Sequence, residues 1–468
     1  MELRPYQRED VEFIKQHPCC GVFNEQRTGK TPTTLVALNE MNANKILIIC
    51  PASTVPQWKE EFETWLGKPC IAITGKTPTK KIEQVKEWTN GLVVSYDSFK
   101  STARGIGLVN EVLKQKPDAV VADEAHRIKN HKSLNFAALK ACCNIPIRLA
   151  LTGTPAPNKA HEIYGILHFL YPQRFSSYWK FIDYYFTQEI KFTRNRKYIE
   201  IGKFKPGKRT ELQNFLNNHC TQRKRKDIMQ WLPEKDRQQI KLEPTANQQK
   251  YLEELTKYFE ITQANVVTKT LLDRLIRVRQ VCLDPAILGL PKGDSPKTDW
   301  IKQYLQDYSD ISTIIFSKST RYLLRLQTDL NKPEEIGLII GATPIEKRNQ
   351  IKKDFQNGKL KVLLINIDAG KEGLTLDKAE TIIFTDKFPP VGDIAQAEDR
   401  FIATTEDKAN KQHLIIELMM KGTYDEQLYQ LIQKRFSETD VINDFKKYIE
   451  RGKENGNQAN AKRSVWQR

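Results

Sequence analysis

Short apolar runs bounded by polar or turn residues recur along the first third of the chain, at 45–51, 70–74, 91–96, 118–122 and 148–152. Runs this brief and this continuous predict strands buried on both faces. Longer segments lie between them, and two, 33–42 and 56–66, carry apolar residues at helical spacing. Strands alternating with helices predict a parallel sheet covered by helices. From about residue 160 to 290 the chain turns aromatic, charged and mostly helical in period, as in 246–264 and 269–282. The strand rhythm then returns at 312–317, 335–341, 361–368, 381–386 and 413–418. The expected fold is α/β: two parallel-sheet lobes with an inserted, mainly helical region. The expected boundaries are 1–165 for the first lobe, 166–290 for the insertion region, 291–445 for the second lobe and 446–468 for a basic, flexible tail.

A chain of 468 residues exceeds what one core supports, in keeping with two lobes. Lysine and arginine number 74 against 57 acids, a net charge of +17. That balance suits a polyanionic partner, most simply nucleic acid, although a basic surface with no partner gives the same count. The eight cysteines (Cys19, Cys20, Cys50, Cys70, Cys142, Cys143, Cys220 and Cys282) show no Cys-x-x-Cys pair and no zinc spacing. They are expected to be reduced packing residues. The first residues lack a signal-peptide pattern, and no apolar stretch approaches the roughly 20 residues that span a bilayer. A soluble, cytoplasmic protein is expected.

Two strings point to nucleotide chemistry. Residues 24–31 read Asn-Glu-Gln-Arg-Thr-Gly-Lys-Thr, which sets Gly29, Lys30 and Thr31 at a loop-to-helix turn. Backbone N–H groups and a helix N-terminus there would face polyphosphate. Lys30 would reach the β and γ phosphates, and the Thr31 hydroxyl would hold Mg²⁺. The apolar residues 119–122 end in Asp123-Glu124-Ala125-His126, a DEAH box. Asp123 stands where it would bind the Mg²⁺ shell, and Glu124 where it would polarise a water. Alone, the first string is also a common polar turn and the second a helix cap. In this order, and with these flanks, they reinforce each other.

Further motifs follow in sequence: Arg4-Pro5-Tyr6-Gln7, Ile49-Cys50-Pro51-Ala52-Ser53 with Trp58, and Leu151-Thr152-Gly153-Thr154-Pro155-Ala156-Pro157-Asn158. Then come 222–233 (QRKRKDIMQWLP), 279–282 (RQVC), 314–317 (IIFS), 368–376 (DAGKEGLTL) and 396–400 (QAEDR). This series, over roughly residues 3–435, resembles superfamily 2 helicases and, within them, the Swi/Snf-like DNA translocases. The resemblance implies two RecA-like lobes of the P-loop NTPase kind, with ATP and Mg²⁺ as cofactors and DNA as partner to a monomer. It puts Gln7 at the adenine edge, and Thr28, Gly29, Lys30, Thr31, Gly370 and Arg400 around the nucleotide. Lys30, Asp123, Glu124 and Arg400 are implied in catalysis, and Thr31 and Asp123 in holding the metal. His126, Thr152, Gly153, Thr154 and Gln396 would couple hydrolysis to movement. Ser53, Trp58, Thr154 and Thr375 would touch the DNA backbone, contacts that carry no sequence information.

Two positions depart from the family pattern. Ala403 stands where a second arginine finger is usual, and Arg27 where the wider group often has glycine. Both features resemble small phage-encoded members that act in replication, recombination and branch migration, so a phage protein in a bacterial host cytoplasm is expected. Residues 189–209 interleave eight lysines and arginines with aromatic and β-branched residues and read as an inserted basic hairpin. Arg194, Arg196 and Lys197 are its expected DNA contacts; a solvated ribbon protected by charge is the alternative. The leading expectation is an ATP-dependent helicase or translocase that remodels forked or branched DNA. An ATP-driven remover of protein from DNA, and a nucleotide-gated DNA clamp with little turnover, remain beside it.

Overall fold

Apolar runs of valine, isoleucine, leucine and alanine leave a strand nothing to show to solvent, and in this chain they assemble the centres of two sheets. The computed structural model describes residues 2–75, 77–100, 108–156, 159–193, 196–228, 236–291, 293, 295–332, 334–370, 376, 378–386 and 414–427. The chain divides into two units, Met1–Gln230 and Trp231–Arg468.

In the first unit, β1 (Cys19–Val22), β2 (Ile46–Cys50), β3 (Cys70–Ala72), β4 (Gly91–Ser95), β5 (Ala119–Asp123) and β6 (Ile147–Leu151) run parallel. A separate antiparallel ribbon follows, β7 (Phe186–Thr193) with β8 (Arg196–Phe204), and then β9 (Cys220–Thr221) joins the main sheet beside β1. Among the described residues the order is β3-β4-β2-β5-β6-β1-β9. Alternation along β2 divides the core: Ile46, Ile48 and Cys50 face Leu35, Trp58 and Phe62, while Leu47 and Ile49 face Phe99, Leu139 and Ile166.

The second unit repeats the plan. Its strands are β10 (Asp236–Leu242), β11 (Glu260–Ile261), β12 (Val266–Val267), β13 (Thr313–Ser317), β14 (Ile336–Ile339), β15 (Val362–Asn366), β16 (Thr381–Phe384) and β17 (Leu414–Met420). Among the described residues six form a parallel sheet in the order β10-β17-β16-β13-β15-β14, and β11 pairs with β12. Lys297, with no exposed surface, donates to Asp425 Oδ2 at 2.5 Å and to the Thr385 carbonyl at 2.7 Å, pinning the helix Pro296–Asp307 to the end of β16. The fold is α/β with two RecA-like parallel-sheet lobes, as the strand rhythm and the resemblance implied.

The stretch of helical spacing between 160 and 290 holds helices, but also strands that its pattern hid, and the division between the units falls inside it. β9 is only two residues long, and β10 (DRQQIKL) is an exposed edge strand with no apolar run to reveal it. All eight cysteines are free and six are buried. Among the described residues no helix is long and apolar enough to cross a membrane.

One close approach fixes the loop after β5. A Cβ added to Gly165, in the helix Tyr164–Leu170, would lie 2.1 Å from the carbonyl oxygen of Ile128. Ile128 closes the turn Ala125–Ile128 that follows the two acids. Gly165→Ala must therefore force helix and turn apart. It is expected to destabilise the first unit by about 1–3 kcal/mol, read as a lowered urea midpoint.

Candidate functional site

Three loops meet because three neighbouring strands end together. Val22 of β1 pairs with Leu151 of β6, and Leu151 pairs with Asp123 of β5. Each chain then leaves the carboxyl edge of the sheet at the same level, the place where open parallel sheets bind ligands.

The loop after β1 leads into the helix Lys30–Glu40, whose cap, Gly29, has φ 77° and provides no side-chain cap. The first-turn N–H groups and the positive end of the helix dipole together suit an anion. Gly29 is needed twice over: its backbone is left-handed, and a Cβ there would lie 2.0 Å from Gln7 Nε2. Gln7 is buried. It donates from Nε2 to the Thr28 carbonyl at 3.2 Å, and its Oε1 accepts the Arg4 N–H at 2.7 Å. The Tyr6 hydroxyl donates to the same Thr28 carbonyl at 3.0 Å. Gln7, expected at the adenine edge, is thus bonded to the phosphate loop itself. Buried Thr28 donates its hydroxyl to the Glu25 carbonyl at 2.9 Å, and Lys30 Nζ folds back to the carbonyls of Asn24 at 2.9 Å and Glu25 at 3.1 Å. Arg27 has φ 62°. A side chain in that left-handed region costs about 1–2 kcal/mol, a backbone reason for the glycine that the resemblance leads one to expect there.

Asp123 ends β5. Its Oδ2 accepts the Trp58 indole N–H at 2.8 Å, and its Oδ1 accepts the Glu124 N–H at 2.9 Å. Trp58 was expected at the DNA backbone; it is 2% exposed and orients Asp123 instead. The reason is spacing: Val55, Trp58 and Phe62 form the buried stripe of the helix Val55–Leu66. Burial, then the neighbouring Glu124 carboxylate, pushes the Asp123 carboxyl up to about 6, against the lowering pull of the Trp58 bond and the Lys30 charge.

Glu124 has φ 49°, an uncommon conformation for a residue with a side chain and one that clusters at functional sites. Its Oε1 accepts from Gln26 Nε2 at 3.5 Å, and its Oε2 lies 3.2 Å from His126 Nδ1. The same His126 nitrogen is 3.1 Å from Thr152 Oγ1, which also accepts the Thr154 N–H at 3.1 Å. A Cβ on Gly153 would stand 3.5 Å from Gln26 N. The loops after β1, β5 and β6 therefore form one connected network. Thr31 lies half-buried in the first helical turn, and Ser53 and Thr154 are likewise half-buried. The set fits a metal–nucleotide complex: an ammonium and helix N-terminus for phosphate, with Thr31 and Asp123 as oxygen donors. Phosphates and water supply the other ligands in such sites.

The sequence did not reveal what holds the loop from behind. Asn24 Nδ2 donates to Asp10 Oδ2 at 2.7 Å, Thr221 donates to Asn24 Oδ1 at 3.2 Å, and Arg223 Nε donates to Asp10 Oδ1 at 3.0 Å. Asp10 has no exposed surface, and burial raises its carboxyl despite the Asn24 and Arg223 bonds. Arg223 fell within the run 222–233 marked by the resemblance, so only its partner was hidden. In the second unit, Gly370 ends the short helix Ile367–Gly370 that follows β15. Arg196 and Lys197 lie in β8, opposite Thr193 and Phe192. Arg194, Thr375, Gln396, Arg400 and Ala403 lie outside the described residues, as does the tail.

Residues 6–287 match the SNF2-related domain. The chain belongs to that family. Residues 296–402 match the Helicase conserved C-terminal domain. Among relatives of this SNF2-related chain, Chromodomain-helicase-DNA-binding protein 1-like of Mus musculus is 26% identical over 473 residues, covering 94% of this chain and 50% of the relative. DNA annealing helicase and endonuclease ZRANB3 of Bos taurus is 24% identical, covering 93% of this chain and 40% of the relative. The chain spans half or less of the length of these two relatives. The structure of the Sulfolobus solfataricus SWI2/SNF2 ATPase core in complex with dsDNA is 21% identical and covers 95% of this chain and 94% of that chain, with a TM-score of 0.43.

The Trp58–Asp123 bond carries a pH prediction. Removing a donor that favours the carboxylate raises the Asp123 pKa further, so the ionised form appears only at higher pH. In Trp58→Phe the acid limb of the ATP-hydrolysis profile is expected to move to higher pH by about half a unit to one unit, with the alkaline side little changed. An unmoved acid limb would show that Asp123 does not control it.

Proposed function

We propose that this chain is an ATP-dependent DNA helicase or translocase that remodels forked or branched DNA. The observation that carries the reading is the convergence of Lys30, Asp123, Glu124, His126 and Thr152 on three loops of a SNF2-related domain. The name of the ZRANB3 relative, a DNA annealing helicase, favours a substrate with unpaired strands. On the resemblance at Arg27 and Ala403 we further propose a phage protein acting in replication or recombination within host cytoplasm.

ATP with Mg²⁺ supplies the phosphoanhydride bond whose hydrolysis drives movement. In this reading Lys30 and the N-terminus of its helix bind the phosphates, and Thr31 and Asp123 hold the metal. Trp58 keeps the Asp123 carboxyl turned toward it. Glu124 accepts the proton of the attacking water, and the His126–Thr152 contact passes the state of that acid to the loop carrying Thr154. By the resemblance Gly370 and Arg400 contact the nucleotide, and Gln396 serves coupling. Ser53, Thr154 and Thr375 hold DNA phosphates, and Arg194, Arg196 and Lys197 extend that track.

The test is ATP hydrolysis titrated with duplex, forked and four-way-junction DNA. Stimulation by DNA is expected, strongest on the branched substrates. Nucleotide-dependent DNA binding with no stimulated hydrolysis would instead establish a clamp, and equal stimulation by all three shapes a plain translocase. Lys30→Ala is expected to lower turnover at least about 100-fold. Glu124→Gln should retain nucleotide binding while hydrolysis slows by about 10²- to 10⁴-fold. Near-normal turnover in Glu124→Gln would assign the base elsewhere.

A further inference from the structure

The ribbon β7–β8 has two unlike faces. Its pairs are Glu189 with Glu200, Ile190 with Ile199, Lys191 with Tyr198, and Phe192 with Lys197. Side chains alternate along a strand, so Ile190, Phe192 and Ile199 share one face, while Glu189, Lys191, Tyr198 and Glu200 share the other. On the second face Lys191 pairs with Glu200 and lies 4.0 Å from Glu189, and Tyr198 is 46% exposed. The first face carries the larger exposed apolar surface. Phe192 is 75% exposed, Ile190 56% and Ile199 41%. A ribbon that merely resists aggregation would turn charge outward on both sides. This one keeps an apolar strip in water, which marks an interaction surface.

Charge identifies the occupant. The ribbon, residues 186–204, holds five lysines and arginines against two acids, a local excess of three positive charges; Lys205 and Lys208 beyond it pair with Asp183 and Glu211. A second copy of this chain, itself at +17, would bring like charge to the strip. A nucleic acid with unpaired bases brings phosphates for the basic surroundings and π faces for Phe192 and the two isoleucines. Duplex DNA offers only the first, because its base faces are stacked on one another. We propose that the Ile190–Phe192–Ile199 face of the ribbon is a stacking surface for unpaired bases of single-stranded DNA at a branch. This deepens the branched-DNA reading and rests on DNA being the substrate.

The experiment compares Phe192→Ala with Tyr198→Ala, an aromatic residue on the opposite face, by fluorescence anisotropy on plain duplex and on a fork with single-stranded arms. Phe192→Ala is expected to weaken fork binding about 5- to 100-fold, with duplex affinity within twofold and the salt dependence unchanged, since no phosphate contact is lost. Tyr198→Ala should change neither. Equal losses on fork and duplex, equal losses in the two variants, or no loss on the fork would each overturn the proposal. So would sedimentation showing that Phe192→Ala converts a dimer to a monomer, for the strip would then be covered by a second copy. DNA-stimulated hydrolysis by the unaltered protein is a separate readout: its absence would end the motor reading while the fork comparison still decides the role of the strip.

Discussion

Backbone hydrogen bonds between β1, β6 and β5 hold Val22, Leu151 and Asp123 in line across the first sheet. The side chains that form the candidate site are carried by loops, and loops do not set their own positions. A slip of one residue along β5 would turn Asp123 to the opposite face of the sheet, away from the Trp58 indole that meets it. Parallel pairing of buried apolar strands supplies this constraint, and its residues lie far from any chemistry.

On that frame the site accumulates costs that its neighbours offset. Two adjacent carboxylates repel, and burial opposes the charge on each. Trp58 and Lys30 favour an ionised Asp123, while the left-handed backbone of Glu124 turns its carboxylate toward Gln26 and His126. Behind the phosphate loop, buried Asp10 is held by Asn24 and Arg223, so the loop rests on a polar support as well as on the core. Several of these bonds join residues separated by more than 60 positions, which makes the site a late product of folding: it exists only once the sheet does.

The central strands of both sheets, such as β2, β4, β5, β13 and β15, were legible because they are buried on both faces and therefore continuous in apolar character. The loops carrying Gly29-Lys30-Thr31 and Asp123-Glu124 were legible because their chemistry is local to the string. β1, β9 and β10 were not. β1 is four residues with a glycine inside, β9 is a pair, and β10 is polar at the sheet edge, so none gives a pattern apart from its partners. The place of Trp58 was hidden for a different reason: its hydrogen bond crosses 65 positions, and helical spacing says only that it is buried, not what its N–H meets. The φ of Arg27 could not be read from an arginine at all.

The ribbon is closed at its root by Phe186 and Phe204, directly paired and with ring centroids 4.5 Å apart. Its two ends thus leave the body of the first unit side by side, and the polypeptide between them crosses no strand of the main sheet. Closing so narrow a gap with a shorter or longer connection changes the chain entropy only slowly with length. Evolution can therefore trim, extend or exchange this projection as a unit while the loops carrying Lys30, Asp123 and Thr152 keep their register, so that the ribbon and the candidate site are free to diversify at different speeds within one gene.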